Sequence, residues 1–298
     1  MAAHVPSPIA QLPEAQLRPL LAAYDASVRS KRWHTALVFA CVAVAVGLSS
    51  VSAEISPARF FANIGNFTSY IYRLGHLDSG GWVWTDPVEW FWSFKRNARL
   101  IGLTVLMAYV GTLTGAIAGF GLSFLASPNL TTNRWTVFFA KRGLEFCRTV
   151  PGIVFALMFV VAFGLGPLPG VLAIAIHTTG ALGKQFFETS ENIDMKPVEG
   201  LRSVGASWMQ TVRFGAVPQV LASFASFALL RFEINVREAT VLGFVGAGGI
   251  GQDLMEAIRK FYYSDTSAIL VMIIAVVIAI DLGTQQLRRF LIGERPGA

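Results

Sequence analysis

Residues 100–125 read LIGLTVLMAYVGTLTGAIAGFGLSFL, within a run without formal charge that extends from Arg99 to Arg134. About 20 apolar residues suffice for a helix to cross the hydrocarbon of a bilayer, so this run is long enough. A second charge-free run separates Arg148 from Lys184. Neither shows the apolar-polar alternation of a barrel strand, which leaves the helix as the structure that satisfies its own backbone in lipid. Composition agrees: of 298 residues 54% are hydrophobic and 14% charged, where a soluble domain carries about 25% charged residues. The chain is read as an all-α integral membrane protein.

The apolar runs predict about six transmembrane helices, at 35–52, 100–125, 144–163, 168–186, 217–241 and 267–287. Gly164, Gly166, Pro167 and Pro169 end the third and turn the chain tightly into the fourth. A tail at 1–34 precedes the first span, whose unit runs on through a long outer segment to residue 96. A membrane core occupies 97–292 and a short tail 293–298. The apolar stretch near 17–24 reads as a surface helix or a tether. Orientation follows from the 24 Lys and Arg residues: 14 fall in the two tails and the segments 126–142 and 184–213, seven in the opposite loops and three in spans. The positive-inside rule then places both termini in the cytoplasm.

The net charge of +6 reads as membrane topology and contact with the lipid bilayer, and no basic stripe with interleaved aromatics points to nucleic acid. Trp82, Trp84, Trp90 and Trp92 cluster before the second span, where indole rings favour the membrane interface. Cys41 and Cys147 both lie inside predicted spans, so no disulfide framework or metal site is expected. His177, inside the fourth span, reads as a packing residue rather than a ligand or proton relay.

Two nucleotide-binding signals fail on context. Residues 246–251, GAGGIG, satisfy the dinucleotide fingerprint, but the acidic residue expected about twenty positions on is replaced by Val271, and the region is a span. These glycines are expected to form a close-packed turn at the outer surface. Gly183-Lys184 is followed by Gln185 and lacks the upstream glycine spacing of a P-loop.

Two polar segments carry the functional signal. Residues 199–218, EGLRSVGASWMQTVRFGAVP, lie between apolar runs. As one helix they would align Leu201, Val204, Trp208 and Val212 in an apolar ridge that a partner could clasp. Gly205 would admit a close backbone approach, and Pro218 would restart the chain as a new helix. Residues 231–240, RFEINVREAT, place charges within the fifth span, where they are costly without partners or water. Arg231 and Glu238, seven apart, share one helical face, and Glu233 and Arg237, four apart, can pair on another. Two readings stay open: ion pairs that hold helices together, or an arginine that faces a cavity and gives transient passage to a phosphate-like anion.

Glu199, Gly200, Leu201, Gly205, Val217 and Pro218 resemble the coupling-helix signature of ATP-binding-cassette importer permeases, with Gly200 and Val217 where Ala and Leu are usual. Together with RFEINVREATVLGFVGAGGIG at 231–251, they resemble the permease subunit of phosphonate importers, whose near relatives carry phosphate or phosphite. Arg148 and Pro151 sit where such permeases place these residues at the start of a span. The resemblance implies a type I importer permease of the MetI-like kind, in the cytoplasmic (inner) membrane of a prokaryote. It implies a coupling helix at 199–213 that docks on cytoplasmic ATP-binding subunits, and a pathway or gate drawn from Arg231, Glu233, Asn235, Arg237, Glu238, Gly246, Gly248 and Gly249. A second permease copy, forming a homodimer, and an extracytoplasmic substrate-binding protein complete the machine. ATP and Mg belong to the partner ATPase, and this chain is expected to hold no cofactor, no metal and no catalytic residue. A secondary anion transporter or channel working without ATP is the alternative, and a membrane enzyme a more distant one.

Overall fold

A computed structural model describes residues 14–53 and 56–292. Residues 1–13 and 293–298 of the expected tails lie outside the described residues. The regular structure among the described residues is helical, and the chain divides into two units between Tyr70 and Ile71, within helix α2 (Pro57–Leu74).

The first unit contains α1 (Glu14–Ser52), within which Leu21–Ser52 is long and apolar enough to cross a membrane. The helix begins at Glu14, well before the span predicted from residue 35, and absorbs the stretch read as a surface helix or tether. Pro19 stands near its start, and the Ala- and Leu-rich sequence that follows favours continuous helix.

The second unit holds the membrane core. A compact loop from His76 to Trp82 and the short α3 (Pro87–Trp90) lead into α4 (Phe94–Ala126). Two of the four clustered tryptophans bond to the start of the last helix. Trp90 Nε1 donates to Ser267 Oγ at 2.9 Å and Trp92 Nε1 to Asp265 at 2.7 Å, which ties this segment to the start of α12 (Tyr263–Ile292).

The predicted third span is instead a broken one. Helices α5 (Arg134–Thr149) and α6 (Gly152–Phe163) meet at an angle of 85°, with Val150 and Pro151 in extended backbone between them. Pro151 causes the break, because its ring excludes the preceding residue from helical geometry. The predicted fourth span, α7 (Pro167–Glu191), is long enough to cross but too polar in its second half to pass as a span on composition. It sits at the centre of the unit, packed against α4, α5, α6 and α10 (Val217–Leu242), which relieves lipid of its polar groups. Among the described residues four helices are long and apolar enough to cross alone, and the bent pair makes a fifth. The six spans predicted are therefore not all independent apolar helices.

Close packing follows from small residues, as expected where lipid supplies no hydrophobic drive for helices to associate. A Cβ on Gly115 of α4 would lie 2.7 Å from the Ala175 carbonyl of α7, and one on Gly180 of α7 would lie 2.5 Å from the Arg148 amide of α5. Around these contacts Ala108, Ala156, Ile174, Val236 and Leu242 form one buried cluster. A second, of Phe124, Leu182, Phe186, Val198, Val220 and Phe224, lies toward α8 (Lys196–Ser203), with the Phe186 and Phe224 rings stacked at 4.0 Å.

Candidate functional site

The docking segment forms two short helices rather than the single one predicted. Helix α8 ends at Ser203, and α9 (Trp208–Thr211) starts after Ser207, whose side chain and Gln210 form a reciprocal cap. The break is a Schellman turn: Gly205 N–H donates to the Arg202 carbonyl at 3.0 Å, and Ala206 N–H to that of Leu201 at 3.1 Å. Gly205 has φ +83°, and no atom lies within 4 Å of where its Cβ would stand. Its glycine serves the left-handed turn, and among the described residues no other part of this chain approaches it. The turn also breaks the predicted ridge: Val212 is buried and Leu201 half-buried, while Val204, Trp208 and Met209 stay exposed. Glu199, Gly200 and Gly205 share that exposed surface.

Beyond α9 the chain widens into a π-turn at Val212–Ala216 and continues directly into α10. Val217 N–H reaches the Val212 carbonyl, so Pro218 enters the first turn of α10 without a loop before it.

Three attachments fix α8 to the core. Val198 is fully buried. Arg202 Nη2 donates to the carbonyls of Asn129 and Leu130, at 3.2 and 3.1 Å, in the turn between α4 and α5. Gln219 bonds both the amide and the carbonyl of Asp194, joining the entry to α8 with the first turn of α10. These contacts tie α8 to the α4–α5 turn and to α10.

A cavity of about 490 Å³ lies between the end of α5, the middle of α7 and α10, with Arg148, His177, Lys184, Glu188 and Arg231 among its lining residues. Arg231 reaches it as the cavity reading expected, and the ion-pair reading is realised too: its Nη2 lies 3.3 Å from Glu238, and Arg237 pairs with Glu233. Lys184 pairs with Glu188 at 3.2 Å. Arg148 and Pro151 stand at the α5–α6 break, where Pro151 is the N-cap of α6.

Other predicted pathway residues stand elsewhere. Asn235 is fully buried and donates to Thr112 and Thr178, at 2.7 and 2.8 Å, so it joins α10 to α4 and α7. Glu233, Arg237 and Glu238 do not line this cavity either; the Glu238 carboxylate lies against Gly152 at the start of α6. His177, expected only to pack, lines the cavity and receives Arg231 Nη2 on Nδ1 at 2.5 Å. Helical spacing puts His177, Ala181, Lys184 and Glu188 on one face of α7.

At the other end of α10, Gly246, Gly248 and Gly249 all take positive φ, in the close-packed turn that was expected. A Cβ on Gly248 would lie 3.0 Å from Pro167 N, and the Gly166 amide bonds the Gly246 carbonyl at 3.0 Å. The amphipathic α11 (Ile250–Arg259) follows, and near it Lys260 holds the Glu256 carboxyl below its usual range by hydrogen bonding and charge. Among the described residues no three His, Cys, Asp or Glu side chains converge as a metal site.

The helical membrane core thus carries a clamped, surface-exposed pair of short helices and a cavity lined by Arg148, Lys184 and Arg231. Over residues 111–292 the chain matches the binding-protein-dependent transport system inner membrane components, and it belongs to that family. It is 41% identical over 197 residues to the phosphate-import permease protein PhnE of Mycolicibacterium smegmatis, an alignment that spans 66% of this chain and 37% of that one. Identity to the phosphite transport system permease protein PtxC of Stutzerimonas stutzeri is 39% over 199 residues, or 67% of this chain and 72% of that one. A chain of the inward-facing MetNI methionine ABC transporter shares the fold with a TM-score of 0.58 at 19% identity, covering 69% of this chain and 98% of its own.

Proposed function

We propose that this chain is the permease subunit of an ATP-driven importer for phosphonate or a related phosphorus oxyanion. One observation carries the substrate class: Arg148, Lys184 and Arg231 line a single cavity in a charge-poor bundle, and guanidinium groups match the geometry of phosphate-like oxygens. The names of the phosphate and phosphite permeases it resembles support the same class.

In this reading α8 and α9 face the cytoplasm, where Glu199, Gly200, Val204, Gly205 and Trp208 receive an ATP-binding subunit that holds ATP and Mg. Both termini are cytoplasmic, in the inner membrane of a prokaryote. Two copies of the permease pair as a homodimer, and a binding protein delivers the anion at the opposite face, beside the glycine turn and α11. Closure of the ATPases on ATP draws the two α8 helices together. The clamp of Arg202 on the α4–α5 turn, and that of Gln219 on α10, carry this shift into the core as a rigid-body movement. Leu201 and Val217 back the docking surface from the core side, and Pro218 admits α10 through its π-turn.

The test is ATP hydrolysis by the chain reconstituted in lipid with its ATPase and binding protein, with and without phosphonate, phosphate and phosphite. Stimulation by one liganded binding protein is the expected result. Assembly without any ATPase, together with anion movement down a gradient, would replace this reading with a secondary carrier.

A further inference from the structure

We propose that His177 is a positioning residue that keeps Arg231 available to the transported anion, with Arg148 as the second cation of a membrane-embedded anion site. The inference rests on the importer reading above and names the residues that would hold its substrate inside the membrane.

The argument begins with the donors of Arg231. Its two protein partners, Glu238 at 3.3 Å and His177 at 2.5 Å, are both reached through Nη2. The buried Nε has no partner, so this guanidinium is only partly satisfied by the chain. A guanidinium only donates hydrogen bonds. Nδ1 of His177 must therefore present its lone pair, and the ring meets Arg231 as a neutral acceptor.

A neutral acceptor here has a consequence for charge. A carboxylate at position 177 would neutralise Arg231 within the protein. An apolar side chain would leave Glu238 as its sole partner and draw it toward α6. At 3.3 Å the existing ion pair is longer than the roughly 2.7–2.9 Å of a strong charge-assisted bond. His177 thus anchors the arginine without cancelling its charge. The other charged groups at the cavity divide similarly: Glu188 pairs with Lys184, whereas Arg148 is exposed and makes no ion pair among the described residues. The anion is left with two lining cations, Arg231 on α10 and Arg148 at the end of α5.

The experiment uses the full complex with its ATPase and binding protein in proteoliposomes, with phosphate, phosphite and methylphosphonate as probes. His177→Leu is expected to lower the maximal uptake rate at least tenfold, with the KM for anion held by the binding protein. His177→Asn, which returns an acceptor oxygen near the Nδ1 position, is expected to recover uptake to within threefold of the parent. Co-purification with the ATPase distinguishes a lost site from a lost fold. Arg148→Gln, at an exposed side chain, serves as the second variant and is expected to fall at least fivefold. Parental uptake by His177→Leu or by Arg148→Gln overturns the proposal, as does an assembled His177→Asn complex no better than His177→Leu. If the parent complex moves none of the three anions, the importer reading fails first and this site fails with it.

Discussion

Replacing Gly180 with alanine tests the packing that sets the cavity. The added Cβ would lie 2.5 Å from the Arg148 amide nitrogen, 2.6 Å from the Leu144 carbonyl oxygen and 2.9 Å from the Cys147 carbonyl carbon. All three are backbone atoms, so no side-chain rotation relieves the contact. Restoring ordinary separation requires α5 to retreat from α7 by about 1 Å. Overpacking of this kind costs about 1–3 kcal/mol, and removing a helical glycine returns roughly 0.5–1 kcal/mol. The net loss is about 0–2.5 kcal/mol, or up to roughly 10 °C in apparent Tm at 2–4 °C per kcal/mol for a domain of this size. Against a glycine-to-alanine control free of the contact, the difference is the full cost of about 1–3 kcal/mol. Intrinsic tryptophan fluorescence of the detergent-solubilised protein during heating is the assay. Gly121→Ala is the control, because no atom lies within 4 Å of its Cβ position, and it should melt at or slightly above the parent. Uptake should fall with Gly180→Ala as well, since Arg148 rides on the displaced end of α5. If the two variants melt within about 1 °C of each other, the backbone contact between α5 and α7 does not exist as described.

Three further outcomes follow from the same geometry. Arg202→Ala removes both bonds to the α4–α5 turn, so an assembled complex should still hydrolyse ATP while uptake per ATP falls several-fold; full coupling would refute the clamp. Gly205→Ala forces an alanine to φ +83°, which costs about 1–2 kcal/mol, and it should lower apparent Tm by a few degrees and loosen coupling. Asn235→Leu removes two interhelical hydrogen bonds, worth about 0.6 kcal/mol each in a membrane, so stability should fall by about 1 kcal/mol with the uptake rate unchanged; a large loss of uptake without loss of stability would return Asn235 to the pathway.

Part of the site was legible because its chemistry is local. Arg231 and Glu238 stand seven apart on one helix, and the structure pairs them, as it pairs Glu233 with Arg237. His177 was passed over because its partner is 54 residues away in the chain, and a lone histidine in an apolar run carries no sign of what faces it. Asn235 was misplaced for a related reason: polarity within a span identifies a costly residue, yet not whether it meets a cavity or the hydroxyls of Thr112 and Thr178.

Hydropathy, charge spacing and the 199–218 and 231–251 segments by themselves determined that this chain is helical, membrane-spanning and related to importer permeases. These properties depend on residue type and short-range order: transfer to lipid is a sum over neighbouring residues, and a docking motif is a local pattern. Tertiary structure alone decided that the third span breaks at Pro151, that the polar α7 is tolerated at the centre of the core, and that Gly205 makes a left-handed turn. It also brought Arg148, His177, Lys184 and Arg231 from three helices to one cavity. Each of those outcomes depends on which backbone lies within a few ångströms of another, and that proximity is set by packing between residues far apart in the chain.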